Sequence, residues 1–180
     1  MKPPDYQQRF ELVENWHVRT VSGDDQVHVG SPERLLIVCE APSHSYPQTL
    51  GGASGRRLAK LLGMSNREVL LDHVDVFNLL SRPLRRTRNY ATVFPMREAA
   101  WEACGIRFEA AGVILVGRTM RAWGLQTPLK ESRIYGVRVL PLPSLSGLNR
   151  AWWNSKENAV AARNAIEPFA TFACSGRWPR

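Results

Sequence analysis

The stretch LLIVCEAPSHSY, Leu35 to Tyr46, sets the interpretation of the whole sequence. It begins with an almost continuous apolar run, which is typical of a strand buried on both faces. The run stops at a carboxylate, Glu40, and Pro42 then turns the chain. Because a rigid strand end can hold a charged side chain in a fixed position, Glu40 is the first candidate for a functional residue.

Strand and helix patterns alternate after this first strand. Further candidate strands lie in EVLLDHVDVFNLL, in GVILVG and in YGVRVLPLPSLSG, where Pro141 breaks the strand. Candidate helices are GASGRRLAKLLGM, PMREAAWEACGIRFEAA, the short RTMRAWGL and NSKENAVAARNAIEPFATFA, the last capped by Asn154 or Ser155. The alternation predicts a three-layer α/β/α sandwich with a four-stranded, mainly parallel sheet. We expect one domain over residues 1–180, with residues 1–30 as an irregular N-terminal segment packed on it.

The composition excludes several classes of protein. The 180 residues are 44% apolar and 22% charged, which suits one soluble globular domain. No apolar run approaches the length of a membrane span, and MKPPDYQQRF has no signal-peptide centre, so we expect a cytoplasmic protein without membrane contact. The three cysteines lie far apart without a CxxC pair, which argues against disulfides, a zinc ribbon or an iron–sulfur cluster. We interpret them as buried thiols and expect a monomer with no metal and no cofactor.

The charge of the chain favours a polyanionic partner. The net charge is +8, and the segment SRPLRRTRNY contains Arg82, Arg85, Arg86 and Arg88. Arginine binds phosphate through two parallel hydrogen bonds, so nucleic acid, and DNA in particular, is the first candidate partner. Solubility alone is the alternative explanation of the charge.

Polar residues follow three of the predicted strands. Glu40 and His44 follow the first strand, Asn78 ends the second, and the loop Ser144–Arg150 follows the fourth. The carboxyl ends of parallel strands meet at one edge of a sheet, where ligands bind, so these residues should converge. Each has a simpler explanation. Glu40 could cap a helix or pair with an arginine, and Asn78 could bond turn backbone. His44 could be a solvated loop residue, and SLSGLNR could be an ordinary turn.

Three stretches together resemble the uracil-DNA glycosylase superfamily. VCEAPSHSYPQTLGGASGRRLAKLLG resembles its first motif, in the GEAPG and GEAPA versions. VDVFNLLSRPLRRTRN resembles the segment that carries the base-reading asparagine. LPLPSLSGLNRAWWN resembles the second motif, the His-Pro-Ser loop, in a phage-like form. The similarity runs from about Leu35 into the last helix and implies the fold of that superfamily.

The resemblance implies an enzyme that flips a nucleotide out of DNA and hydrolyses its glycosidic bond. A carboxylate can stabilise the cationic sugar that forms when the base leaves, and an amide can pair with the edge of a pyrimidine. The implied catalytic residues are Glu40 and His44. The implied base-binding residues are Ser43, Tyr46, Asn78 and Ser144. The implied DNA-binding residues are Arg82, Arg85, Arg86, Arg88, Ser146, Gly147, Asn149 and Arg150.

The sequence departs from the superfamily at several of these positions. Ala41 replaces an acid of the GQDPYH relatives, and Ser43 replaces their tyrosine, which closes the pocket against substituents at C5 of the base. The stacking phenylalanine is absent, and Tyr46 is a candidate substitute. The second motif lacks its histidine, because either Leu142 or Ser144 lies at that position, depending on the alignment. His44 could partly replace the lost imidazole.

The sequence is therefore compatible with two main functions and a third alternative. The first is a DNA glycosylase with a roomy pocket for a C5-substituted pyrimidine, as in some phage DNA, with uracil as the alternative substrate. Such an enzyme could act in phage defence, or a phage could encode it. The second is a catalytically inactive DNA-binding module with the same fold. Base or nucleotide modification on this scaffold is a third alternative.

Overall fold

The computed structural model describes residues 18–20, 26–41, 50–89 and 92–180. The described strands are β1 (Val18–Thr20), β2 (Val27–Val29), β3 (Leu35–Cys39), β4 (Val74–Asn78), β5 (Arg85–Arg86), β6 (Thr92–Val93), β7 (Ile106–Phe108), β8 (Gly112–Val116), β9 (Ser132–Ile134) and β10 (Val137–Leu142). The described helices are α1 (Gly52–Leu61), α2 (Arg67–His73), α3 (Met96–Cys104), α4 (Thr119–Ala122), α5 (Arg150–Asn154) and α6 (Lys156–Ser175), with a 3-10 turn over Gly147–Asn149.

A five-stranded sheet forms the centre of the fold. Its order is β4-β3-β8-β10-β9, and the first four strands are mutually parallel. These four are the strands that the apolar runs predicted. The prediction of a four-stranded sheet is nevertheless wrong, because β9 adds an antiparallel edge strand to β10. The two strands are joined by Tyr135 and Gly136, both with positive φ, as a tight type I′ hairpin turn requires.

A second, three-stranded sheet corrects two further predictions. Its order is β1-β2-β7, with β2 parallel to β7. The segment 1–30 therefore contains two strands and is not irregular throughout; residues 1–17 and 21–25 lie outside the described part of the chain. β7 also shortens the predicted helix PMREAAWEACGIRFEAA, because α3 ends at Cys104 and the chain turns at Gly105 into the strand.

Helix α2 was not predicted, because its residues were assigned to the second strand. The Asn66 side chain accepts a hydrogen bond from the Val69 backbone N–H at 2.9 Å, the geometry of a helix N-cap. The cap stabilises one short helix over EVLLDH, so β4 begins only at Val74.

The central sheet is packed on both faces. One face of the sheet contacts α1, α2 and α6, through residues such as Leu58, Leu70 and Ile166. The opposite face contacts the three-stranded sheet, α3 and α4, through residues such as Ile106 and Met120. Burial on both faces explains why β3 and β8 are continuous apolar runs, whereas β4 also contains Asp75 and β10 contains Arg138. No helix in the described residues is long and apolar enough to cross a membrane.

The C-terminal helix α6 begins at the second of the two predicted caps. The Ser155 hydroxyl accepts a hydrogen bond from the Asn158 backbone N–H at 3.3 Å, so Ser155, not Asn154, is the N-cap. We expect Ser155→Ala to lower the free energy of unfolding by about 1 kcal/mol in urea denaturation, because this N–H loses its acceptor. Ser155→Asp keeps an acceptor and should retain most of the stability. Equal losses in both variants would contradict the capping role.

Candidate functional site

A cleft of about 1290 Å³ opens at the carboxyl ends of the parallel strands. Glu40 enters it directly after β3, Asn78 at the end of β4, Val116 at the end of β8 and Ser144 after β10. The backbone N–H of Leu80 donates to the Glu40 carbonyl at 3.0 Å, so the pairing of β3 and β4 continues past their ends and fixes the carboxylate beside the amide. The predicted convergence is confirmed for Glu40, Asn78 and the loop from Ser144 to Asn149, whereas Arg150 does not line the cleft and His44 lies outside the described residues.

The structure brings together some of the predicted site residues and separates others. Those that line the cleft are Glu40, Asn78, Arg86, Ser144, Ser146, Gly147 and Asn149. Four predicted DNA-binding arginines do not line it: Arg82, Arg85, Arg88 and Arg150. Arg82 is ion-paired with Glu98 at 3.0 Å, and Arg150 donates to the Gly147 carbonyl at 3.1 Å. Ser43, His44 and Tyr46 lie outside the described residues.

Glu40 is held by Arg118, an arginine that the sequence analysis did not identify. Glu40 Oε1 accepts hydrogen bonds from the Arg118 backbone N–H at 2.8 Å and from Arg118 Nε at 3.3 Å. Glu40 Oε2 accepts from Arg118 Nη2 at 2.9 Å. The arginine-paired alternative for Glu40 is therefore the one observed, and the pair lies inside the cleft.

The Glu40 carboxylate keeps capacity for one more hydrogen bond. A carboxylate offers about four acceptor positions, and the Arg118 contacts occupy two on Oε1 and one on Oε2. The side chain is 18% exposed, so the cleft side of the carboxylate is open to solvent. Oε2 can therefore accept a hydrogen bond from a water molecule or a ligand hydroxyl in the cleft.

Arg118 also connects the carboxylate to the arginine-rich hairpin. Its Nη1 donates to the Thr92 carbonyl at 3.1 Å, and its guanidinium lies 5.0 Å from the centre of the Phe94 ring. Thr92 is paired with Arg86 across the β5–β6 hairpin. Successive residues of a strand point to opposite faces, which explains why Arg86 lines the cleft and its neighbour Arg85 does not.

The loop after β10 is held by side chains that bind its carbonyl groups. The Ser144 carbonyl accepts from Trp153 Nε1 at 2.8 Å and from Asn149 Nδ2 at 3.1 Å. Arg57, on α1, donates to the Leu145 carbonyl at 2.6 Å and to the Ser146 carbonyl at 3.3 Å.

The same bonds determine where the loop presents its amide groups. The C=O and N–H groups of a trans peptide point in opposite directions, so the N–H groups of Leu145 and Gly147 point away from Arg57, Asn149 and Trp153. Neither N–H donates to any described residue, while Leu145 and Gly147 both line the cleft. Such outward-facing amides suit an anionic ligand.

Asn78 presents an almost buried amide to the cleft. The residue is 5% exposed, and its side chain makes no hydrogen bond to any residue in the described part of the chain. The amide oxygen and nitrogen still reach solvent, so water in the cleft can satisfy them until a ligand binds. The Asn78 amide can therefore form hydrogen bonds with a ligand that displaces water from the cleft.

The missed residues carried a usable signal in the sequence. Gly117 and Arg118 follow the buried strand β8 as Glu40 follows β3. The predicted site used the ends of the other three parallel strands and left this one out. Arg56 and Arg67 also line the cleft. Arg56 lies in a helix whose positive charge looks like an ordinary solvated face, and the charge of Arg67 is offset in α2 by two acidic residues. Among the described residues, no cluster of three His, Cys, Asp or Glu side chains could hold a metal ion.

Neither models of protein families nor curated proteins match this sequence.

The Glu40 contact should make Gly117 irreplaceable. Gly117 has φ +69°, and a Cβ there would lie 2.5 Å from Glu40 Oε1. Gly124 has a similar φ of +74°, but a Cβ there would meet nothing within 4 Å. We expect Gly124→Ala to cost roughly 1–2 kcal/mol of unfolding free energy through backbone strain alone. Gly117→Ala should cost clearly more, because it also displaces the carboxylate. Equal costs in thermal or urea unfolding would contradict the contact.

The thiols should differ in reactivity. Burial, together with the nearby Glu40 charge, raises the pKa of the Cys39 thiol to about 12, so this thiol is neutral and poorly nucleophilic at pH 8. Cys104 and Cys174 are exposed, which corrects the expectation of buried thiols. At pH 8 we expect a thiol reagent to modify Cys104 and Cys174 rapidly. Cys39 should react much more slowly, because its thiol stays protonated although the residue lines the cleft. Cys39→Ser should leave the rapid phase unchanged, and rapid loss of all thiols in the native protein would contradict this expectation.

Proposed function

We propose that this chain is a DNA glycosylase that flips a pyrimidine nucleotide into the cleft and hydrolyses its N-glycosidic bond. The observation that carries the proposal is the placement of the Glu40 carboxylate and the Asn78 amide at adjacent strand ends in one cleft. The resemblance of three sequence stretches to the uracil-DNA glycosylase superfamily supplies the reaction class. A mainly parallel sheet packed on both faces is compatible with the three-layer fold of that superfamily.

Asn78 would recognise the base. Its amide offers one acceptor oxygen and two N–H donors, which can match the donor and acceptor pattern of a pyrimidine edge. The side chain has no partner among the described residues, so a bound base would replace solvent as the hydrogen-bond partner of this amide. Because the amide can be presented in either orientation, it suits uracil-like and cytosine-like edges equally.

Glu40 would supply the charge and orient the water. Departure of the base leaves a cationic sugar, and a fixed negative charge nearby stabilises that transition state. The open acceptor position on Oε2 can receive a hydrogen bond from the attacking water. Arg118 would act as a positioning residue, since its three hydrogen bonds hold the carboxylate in one orientation.

The substrate we favour is a C5-substituted pyrimidine, such as the modified bases of some phage DNA, with uracil as the alternative. This choice rests on the sequence, since Ser43 stands where the GQDPYH relatives have a bulky tyrosine and where the GEAPG relatives also have a small residue. Ser43, His44 and Tyr46 keep the roles that the sequence suggests as part of this proposal. The proposal also includes a cytoplasmic, monomeric enzyme that grips DNA phosphates with Arg86 and the amides of the loop after β10.

A DNA-binding module without catalysis is the second candidate, and one observation favours it. Arg118 neutralises both oxygens of Glu40 in the structure, as expected for a carboxylate whose role is to hold two strand ends together. In that case the cleft would bind DNA and leave its bases intact.

Replacement of Glu40 separates the two candidates. We expect Glu40→Gln to retain DNA affinity and to lose base release by on the order of 10²-fold or more, because the amide cannot supply a negative charge. Base release would be measured as alkali-labile strand breakage of uracil DNA and of naturally modified phage DNA.

Glu131→Gln is the matched control for that experiment. Glu131 forms a comparable pair with Arg138, at 2.6 and 2.8 Å, but lies outside the cleft. It should release base at the wild-type rate. Wild-type release by Glu40→Gln would remove Glu40 from the mechanism, and no release by the wild-type chain from any of these DNAs would favour the binding module.

A further inference from the structure

The cleft has arginines on two walls that belong to opposite faces of the central sheet. The first wall is formed by α1 and α2, whose apolar residues pack on one face of the sheet. Arg56 and Arg67 line the cleft from this wall. The strand-end residues Glu40 and Asn78 lie between this wall and the next, and form the floor.

The second wall is the β5–β6 hairpin. The residues that flank it, Leu84 and Phe94, pack in the apolar cluster on the other face of the sheet. Arg86 lines the cleft from this wall. A ligand that lies on Glu40 and Asn78 therefore has cationic side chains on both sides.

Two of these arginines have side chains without a hydrogen-bonding or ionic partner in the described part of the chain. Arg56 and Arg86 are exposed, and their guanidinium groups form no ion pair or hydrogen bond with any residue that the structure describes. The neighbouring arginines are engaged: Arg118 binds Glu40, and Arg57 binds the loop carbonyls. Free guanidinium groups on facing walls raise the positive potential between them and suit a ligand with an anionic group on each side.

We propose that one DNA strand crosses the cleft, with Arg56 binding the phosphate on one side of the bound nucleotide and Arg86 binding the phosphate on the other. The inference rests on the proposed function for the nucleotide at the floor, and adds Arg56 as a second, opposite phosphate contact. Its consequence is that the preferred ligand has a phosphodiester on both sides of the nucleotide, so a terminal nucleotide binds less well.

The test is the salt dependence of binding to a fluorescein-labelled single-stranded oligothymidylate, followed by anisotropy. Each phosphate contact to a single strand contributes about 0.7 to the slope of log affinity against log salt. We expect Arg56→Gln and Arg86→Gln each to lower the slope by about that amount and to weaken binding roughly tenfold at low salt. The double variant should show about the sum of both slope changes.

Two arginines serve as controls with the same change in net charge. Arg85 is on the same hairpin but does not line the cleft, and Arg163 is exposed on α6. Their glutamine variants should retain nearly the wild-type slope. A lower salt slope for Arg86→Gln but not for Arg56→Gln would overturn the proposal that one strand crosses the cleft. Equal slope changes for all four substitutions would also overturn it.

Two further outcomes complete the test. Tighter binding of the ribose analogue of the same oligothymidylate, which keeps the base unchanged, would overturn the assignment of DNA as the strand. These binding measurements need no base release. If only the glycosylase proposal fails, DNA will stay intact in the alkali assay while the salt slope still depends on both arginines.

Discussion

The bidentate pair between Glu40 and Arg118 is the interaction on which the cleft depends. It joins the end of β3 to the residue after β8, and through the Thr92 carbonyl it reaches the β5–β6 hairpin. Gly117 makes the pair possible, because any side chain there would occupy the space of the carboxylate. Without this pair, the carboxylate on the floor would no longer be linked through Arg118 to the hairpin wall, which would then be held by the packing of Leu84 and Phe94.

The parts of the fold that could be predicted are those in which one physical signal dominates. The strands that begin at Leu35, Val74, Gly112 and Val137 are largely apolar because they are buried between two layers, and each was predicted. The short strands β1, β2, β7 and β9 have no such run. They depend on pairing partners distant in sequence, or on a turn in which Tyr135 adopts a positive φ, which is uncommon for this residue type.

The candidate site was predictable to the same extent. Topology alone placed Glu40 and Asn78 together, because parallel strand ends meet wherever the strands pair. The partner of Glu40 could not be deduced, since many arginines were available and only the register between β3 and β8 selects Arg118. The arginine-rich segment was treated as one cationic surface, although strand alternation turns Arg85 and Arg86 to different sides. The roles of Ser43, His44 and Tyr46 stay predictions from sequence.

The carbonyl groups of Ser144, Leu145 and Ser146 are satisfied by Arg57, Asn149 and Trp153 before any ligand arrives. A loop that is already ordered loses little conformational entropy on binding, so more of its interaction energy is expressed as affinity. The same rigidity limits adaptation, because the loop cannot reshape itself around a ligand without breaking these bonds. If the cleft accepts different ligands, other parts of its lining must therefore adapt, because this loop keeps its conformation.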